Sequence, residues 1–493
     1  MIFANENEFW LKVQSKSNPN KISLITPRLR KTFKDLYNEC NHISTYLKNI
    51  GIGKNDYVGI LYGHSYEFFI IVNAIWRNGA IPVLLSTREK NDVIIRQLNK
   101  VNANHLLIDE KLISKYSELI FDKTSYINYH EVGFASDSKT ETKINEPDFN
   151  ISDNAIILFS SGSSGEPKAV VHTFESLYES VKIMDSFFNL SDHDIWLASL
   201  PFYHIGGLMI LIRSLLTGSS VVFPDSLGFD DVINAFVKNE PTHASIVLTT
   251  LKRILDENIS LGKNVKYIFL GGGPLEANLC TYAINKGLPI VKVYGSTETC
   301  SMITALPTNE FPARPYSAGL PLDMSKIKIK IMNKDKDGIG EIYVQSPTLF
   351  KEYKNDQQLT NDKYIDGYYN TGDYGRVDND GYLFVESRRN DIIITGGENV
   401  SIKEIENVFS TINEIKEFYI FPLEDDKWGQ SINAVVVKDI PHITEENITE
   451  ILKGKLANYK IPKRIYFLQE VPKTELGKVN RNELFKHLKL NNL

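Results

Sequence analysis

From Lys21 to Tyr294 short apolar runs alternate with amphipathic stretches, and this rhythm restricts the fold more than any other feature of the chain. Residues 57–62 and 81–85 have the length and composition of buried strands. Residues 33–50 carry Leu36, Cys40, Ile43, Tyr46 and Leu47 at helical spacing and stop at Gly51, and 67–76 reads as a second helix. After a helix at 173–188, strands at 196–200, 220–223, 244–248, 265–271 and 290–294 are separated by helices at 207–216, 229–237, 251–255 and 275–286. Such βαβα order predicts an α/β fold, a mainly parallel sheet with helices on both faces.

The texture changes twice further on. From about 326 to 386 short β-runs with Gly and Asp turns (DKDGIGEIYV, DYGRVDNDGYLFV) predict an antiparallel or barrel-like subdomain. From about 391 a compact α+β unit follows, with helices at 403–409 and 445–456 and strands at 417–421 and 432–437. The charged string Ser387-Arg388-Arg389-Asn390-Asp391 between them has no apolar anchor and reads as a hinge at Asn390. The expected domains are 1–388 and 389–493, since 493 residues exceed what one compact core holds.

Composition narrows the class of partner. A net charge of -6 gives no reason to expect nucleic acid or an anionic membrane. Cys40, Cys280 and Cys300 form no CxxC pair, so neither a zinc site nor a disulfide framework is indicated. No apolar run is long enough to span a bilayer, and the first twelve residues lack a signal-peptide profile. The expectation is a cytoplasmic protein that takes small molecules, with a homo-oligomer compatible.

The chemistry begins at 156–172, IILFSSGSSGEPKAVVH. A strand breaks into Ser160, Ser161, Gly162, Ser163, Ser164, Gly165 and, after Glu166-Pro167, Lys168, then resumes as Ala169-Val170-Val171. Glycines let successive N–H groups face one side, serines add hydroxyl donors and Lys168 adds a charge, so the loop suits phosphate oxygens. It is not a Walker A loop, which needs Gly-Lys-Ser/Thr entering a helix; a plain solvated turn is the competing reading.

Other strings invite the same question. His204, in Pro201-Phe-Tyr-His-Ile-Gly206-Gly207, sits at a strand-to-helix junction where open sheets bind ligands, although a satisfied His at a helix start is the simpler reading. Arg213 lies in an otherwise apolar helix, seven residues from Gly206 and so along its stripe. A buried guanidinium calls for an anion, and Gly206 leaves room for one; the alternative is a side chain reaching solvent. Gly271-Gly272-Gly273 allows a flat ligand close to the backbone. In Tyr294-Gly295-Ser296-Thr297-Glu298 a Tyr can lie against a purine, a Thr can bond an oxyanion and a Glu can ligate Mg²⁺.

These strings, with Tyr369-Asn-Thr-Gly-Asp373, Gly396-Gly397-Glu398 and Pro472-Lys-Thr-Glu-Leu-Gly-Lys478-Val-Asn-Arg481, resemble in order and spacing the adenylate-forming superfamily of acyl-CoA synthetases, peptide-synthetase adenylation domains and luciferases. The resemblance covers about two-thirds of the chain. It implies ATP-dependent activation of a carboxylate as an acyl-adenylate, release of pyrophosphate and transfer of the acyl group to coenzyme A. The Ser160–Lys168 loop, Gly271–Gly273, Tyr294 with Gly295, Thr297, Asp373, Arg388 and Lys478 would then bind ATP, with Asp373 on the ribose and Glu298 holding magnesium. Lys478 is the implied catalytic cation bridging carboxylate and α-phosphate, assisted by Thr297 and His204. His204, Gly206, Gly207 and Arg213 would serve the acid, and the Gly396–Glu398 loop the coenzyme A side, brought into play by a rotating small domain.

Within the superfamily the strings AVVHT, WLASLPFYHIGGL, THASIVLTTLKRIL, LGGGP, SAGLPL and DDKWGQ, with the Arg213 helix, are most similar to the o-succinylbenzoate–CoA ligases of menaquinone biosynthesis. Gly206 and Ser296 depart from the usual HxSG and YGxTE patterns, at positions that would reshape the acyl pocket. A CoA ligase for another aryl or medium-chain acid, an adenylation enzyme loading a carrier protein and a silent nucleotide-binding scaffold are the competing expectations.

Overall fold

The structure is a computed structural model that describes residue 4 and residues 7–119, 124–127, 129, 149–160, 167–272, 277–334, 338–388, 392–439, 442–472 and 479–488. The chain divides into two compact units. The first is built from Met1–Thr87, Asn91–Ser160 and Lys168–Ser387, and the second carries Arg388–Leu493.

The first unit contains a nine-stranded and a seven-stranded sheet. In the larger, Ile290–Ser296, Tyr267–Leu270, His243–Ile246, Ile195–Leu197, Ser220–Val222 and Ile22–Ile25 run parallel in that spatial order. Antiparallel strands finish its ends, Ser301–Leu306 beside Ile290–Ser296 and Arg30–Thr32 beside Ile22–Ile25. In the smaller, Tyr57–Leu61 lies parallel between Ile81–Leu84 and His105–Asp109. Ile81–Leu84 pairs parallel with Asn154–Ser160, which then turns back antiparallel through Lys168–Thr173 to the edge strand Glu352–Tyr353.

Period-two alternation sends successive strand residues to opposite faces, and here both faces are buried. Leu107, Ile156 and Leu158 face a core shared with Trp196, Phe269 and the helices Phe33–Asn49, Tyr66–Arg77, Phe174–Phe188 and Ile205–Thr217. Their neighbours Leu106, Ile108 and Ile157 face the helix Asn91–Val101 instead. Leu197, Val222 and Ala244 face the helices Phe229–Asn239, Leu248–Asp256 and Ala277–Asn285. Tyr66–Arg77 is buried along its whole length, as a helix within the central layer must be. Helix starts follow local chemistry: Thr32 and Asp35 form a reciprocal capping box, and the Thr173 hydroxyl accepts from Ser176 N–H. The α/β class expected from the alternation is the one observed. The strand expected at 196–200 ends at Leu197, where Ser199 folds its N–H back to the Leu197 carbonyl.

A smaller antiparallel sheet completes the first unit, with Lys328–Met332, Gly340–Gln345, Tyr368–Val377 and Tyr364–Ile365 in order and Leu383–Arg388 on Tyr368–Val377. The second unit packs the helices Ile402–Phe409 and Glu445–Lys455 on a sheet whose long hairpin, Ile415–Asp425 with Gly429–Lys438, is flanked by Ile392–Thr395 and by a parallel Arg464–Leu468. Among the described residues no helix is long and apolar enough to cross a membrane. All three cysteines are buried, and none is joined in a disulfide.

Candidate functional site

Ligands of open parallel sheets gather where strands end at their carboxyl edges. In the first unit Ser160 ends Asn154–Ser160 and is the antiparallel partner of Lys168, so the two ends of the Ser/Gly loop share one rung of the ladder. Ser161, Gly162, Ser163, Ser164 and Gly165 lie outside the described residues, as do Gly273, Asn390 and Lys478. Gly271 and Gly272 follow the strand Tyr267–Leu270. A Cβ on Gly271 would fall 2.8 Å from Val293 Cγ2, and Gly272 has φ +85°.

The turn between Ile290–Ser296 and Ser301–Leu306 presents Thr297 and Glu298. Its geometry is demanding. A Cβ on Gly295 would sit 1.9 Å from the Ser301 carbonyl oxygen, so only glycine permits this approach. Cys300 (φ 57°) and Ser301 (φ 80°) are both in the left-handed region, a strain of about 1–3 kcal/mol each. Hydrogen bonds hold the turn there. Ser296 N–H donates to Thr299 Oγ1 at 2.7 Å, Thr299 Oγ1 donates to the Ser301 carbonyl at 2.8 Å, and Ser180 Oγ donates to the Cys300 carbonyl at 2.9 Å.

Glu298 is buried and well tied. Its Oε1 accepts from Ser160 Oγ at 3.0 Å and Tyr353 OH at 3.1 Å, and its main-chain carbonyl accepts from Phe350 N–H at 2.8 Å. Tyr353 reaches this point because its short strand pairs with Lys168–Thr173. Burial, with Glu298 as the second cause, holds the Tyr353 and Tyr369 phenols well above their ordinary range, so both remain donors. Among the described residues no cationic side chain pairs with Glu298, and no group of three acidic, His or Cys side chains could cage a metal. A single buried carboxylate beside Ser160 suits Mg²⁺, which commonly keeps waters as its other ligands. His172, fully buried on Lys168–Thr173, lies with Nε2 2.8 Å from the Thr297 carbonyl oxygen.

Tyr294 OH donates to Asp373 Oδ2 at 2.7 Å, joining the Tyr294–Glu298 strand end to the small sheet. Asp373 is 5 % exposed within the strand Tyr368–Val377, its backbone set by Gly372 (φ 79°) and by Thr371 Oγ1, which accepts the Asp373 N–H at 3.1 Å. Arg388 ends the strand Leu383–Arg388.

His204 occupies the position before the helix Ile205–Thr217, its carbonyl accepting from the N–H groups of Gly207 and Leu208. A Cβ on Gly207 would lie 2.1 Å from the Pro201 carbonyl oxygen, whereas one on Gly206 would meet only Leu200 Cδ1 at 3.3 Å. Arg213, on the same helix, is 1 % exposed. It donates from one guanidinium nitrogen to Ser301 Oγ at 3.3 Å and stands 5.2 Å from the Trp196 ring centroid. Among the described residues its Nε has no partner and no carboxylate lies within ion-pair distance. Burial pushes its guanidinium down to about 10. The solvent-reaching alternative for Arg213 is therefore excluded.

In the second unit Gly396 (φ 57°) and Gly397 (φ 81°) form the two-residue turn joining Ile392–Thr395 to Glu398–Ser401, and Glu398 is 5 % exposed. A Cβ on Gly396 would fall 2.9 Å from the Trp428 ring.

The structure thus brings Ser160, Lys168, Tyr294, Thr297, Glu298 and Asp373 into one connected region of the first unit and adds residues that sequence reading passed over. Tyr353, His172 and Ser301 act on the Thr297–Glu298 turn or on Arg213. The signals were slight: an aromatic in the polar string LFKEYKND, and a lone His closing AVV.

Comparison with known proteins identifies the architecture. Residues 11–354 match the AMP-binding enzyme family and 404–478 the AMP-binding enzyme C-terminal domain. The chain is 32 % identical over 482 residues to 2-succinylbenzoate–CoA ligase of Bacillus licheniformis, covering 96 % of this chain and 98 % of that protein. Among solved structures, a double mutant of o-succinylbenzoate CoA synthetase from Bacillus subtilis with a product analogue superposes at TM-score 0.88, with 31 % identity over 97 % of this chain and 98 % of that one. The same synthetase with ATP and magnesium ion gives 0.73, with 30 % identity over 96 % and 98 %. Matched over both of its units, the chain belongs to the AMP-binding, adenylate-forming enzyme family.

Proposed function

We propose that the chain is an AMP-forming 2-succinylbenzoate–CoA ligase of menaquinone biosynthesis, working in the cytoplasm. The names of its full-length relatives support this reading. The observation that carries it to a dicarboxylate is Arg213: a buried cation that bonds a hydroxyl and faces an indole ring, with no carboxylate among the described residues at ion-pair distance, is suited to the acid group that does not react.

In the first half-reaction a carboxylate oxygen attacks the α-phosphorus of ATP, and the bond to the β-phosphate bridging oxygen breaks to release pyrophosphate. The Ser160 and Lys168 stems hold the ends of the loop that cradles the phosphates. Tyr294, its hydroxyl fixed by Asp373, offers a ring edge to adenine, and Asp373 accepts from the ribose hydroxyls. Thr297 meets the α-phosphate. Glu298 would hold Mg²⁺, which neutralises phosphate charge when bound. Lys478 neutralises the charge that accumulates as the two anions meet, the usual largest electrostatic contribution to such a step. In the second half-reaction the thiolate sulfur of coenzyme A attacks the acyl carbonyl, a C–S bond forms, and AMP leaves with its bridging oxygen.

ATP–pyrophosphate exchange with a panel of acids tests the assignment. Exchange with 2-succinylbenzoate, and AMP release on adding coenzyme A, are expected. Exchange only with a simple benzoate or medium-chain acid would overturn the substrate, and AMP release only with a phosphopantetheinyl carrier protein would overturn the acceptor.

A further inference from the structure

We infer that His172 is a positioning residue for the first half-reaction, fixing Thr297 by a hydrogen bond from its Nε2–H to the Thr297 main-chain carbonyl; the inference rests on the reading that Thr297 meets the α-phosphate. His172 Nε2 is 2.8 Å from that carbonyl, and Nδ1 is 3.0 Å from Ser176 Oγ. The ring is wholly buried.

The proton positions follow from the partners. A carbonyl oxygen can only accept, so Nε2 must carry a hydrogen. Burial keeps the imidazole neutral, lowering it to about 4, so Nδ1 must accept. The hydroxyl of Ser176 then donates to Nδ1. That hydroxyl also lies 2.9 Å from the Thr173 carbonyl, but this carbonyl opens the helix Phe174–Phe188 and takes its first N–H. The charged group that acts on the ring is Glu298, whose carboxylate is engaged by Ser160 and Tyr353. One tautomer satisfies every atom.

The mechanical consequence is specific. Thr297 and Glu298 project from a turn whose last two residues are strained. The Cys300 N–H, itself part of the turn, also bonds the Thr297 carbonyl, at 3.2 Å. His172 is the bond to that carbonyl from outside the turn, anchored in the strand that begins at Lys168. It therefore couples the stem of the phosphate loop to the residue facing the reacting phosphorus. Losing that restraint lets the Thr297 side chain drift without removing a group that touches ATP.

Three variants and one spectrum test this. His172→Leu keeps the volume but not the donor; exchange kcat is expected to fall about 100-fold, the cost of a displacement near 1 Å, with KM for ATP little changed. His172→Gln, which returns an N–H₂ near the Nε2 position, should recover most of the loss at a similar melting temperature. His172→Leu exchanging at the wild-type rate, or His172→Gln doing no better than His172→Leu, would overturn the inference. Thr297→Ala separates it from the underlying reading. If Thr297→Ala is impaired while His172→Leu is not, the positioning role alone falls; if Thr297→Ala exchanges normally, the phosphate role falls and takes the inference with it. Nitrogen-15 NMR of imidazole-labelled wild-type protein needs no variant: the Nε2–H tautomer is expected at neutral pH, and an Nδ1–H tautomer or an imidazolium would refute the assignment.

Discussion

Replacing Arg213 by Met separates what this residue does for the ligand from what it does for the fold. In the folded chain the guanidinium is 1 % exposed, and among the described residues it has one hydrogen bond, to Ser301 at 3.3 Å, with Nε unpartnered. Desolvating such an ion costs several kcal/mol. Against this stand a hydrogen bond of about 1.5–3 kcal/mol and a Trp196 face contact of about 0.5–2 kcal/mol. These nearly cancel, so Arg213→Met, of similar shape and no charge, should hold or raise the urea midpoint. Its effect on catalysis should be opposite. Truncating one partner of a desolvated charge pair costs about 2–5 kcal/mol, or roughly 30- to 5,000-fold in kcat/KM. The assay is pyrophosphate exchange with 2-succinylbenzoate and with an analogue whose non-reacting carboxylate is replaced by hydrogen. The wild type should prefer the diacid by a factor in that range, and Arg213→Met should bring the ratio near one. An unchanged ratio, or equal loss on both acids with a lower midpoint, would show that Arg213 only packs the core.

Other perturbations test other parts. Gly207→Ala places a methyl against the Pro201 carbonyl and should destabilise by about 1–3 kcal/mol or more, whereas Gly206→Ala should leave the urea midpoint close to wild type. Lys478→Ala should lose adenylation by several orders of magnitude while still converting preformed acyl-adenylate to thioester; equal loss of both half-reactions would contradict a role confined to the first. The buried His64, His172 and His243 are each lowered by burial to about 4. Around them stand the Ala198 carbonyl, Glu298, and Asp194 with Lys266 and Arg213 respectively. Between pH 6.5 and about 4 the unfolded chain binds protons that the native chain does not, so stability should fall with pH across that window, by on the order of 3 kcal/mol per histidine. Urea midpoints from pH 7 to 4.5 check this, and a flat profile would contradict neutral burial.

The α/β class was legible because parallel strands buried on both faces read as near-continuous apolar runs, as at Ile81–Leu84 and His105–Asp109. The strings around Ser160, Tyr294 and Asp373 were legible because glycine and hydroxyl residues at strand ends are chemically conspicuous. What joins them was not. Glu298 meets Tyr353 across 55 positions and Ser160 across 138, and nothing local in sequence encodes such meetings. Arg213 was conspicuous as a charge among apolar residues, but its partner Ser301 is presented by a left-handed pair, Cys300–Ser301, that lacks the glycine or asparagine by which such backbones are usually recognised. His172 was hidden because an AVVH strand says nothing about which face carries a ligand-side contact.

The antiparallel stems at Ser160 and Lys168 carry a last implication. Many phosphate-binding loops deliver the nucleotide to the opening turn of a helix, whose aligned peptide dipoles present about half a positive charge. Here the chain leaves the loop as another strand, Lys168–Thr173, and strand dipoles largely cancel. With the triphosphate on this loop, as proposed above, its attraction would come from side-chain cations and individual amides, which would make nucleotide capture a matter of discrete, replaceable charges and leave it open to screening by salt.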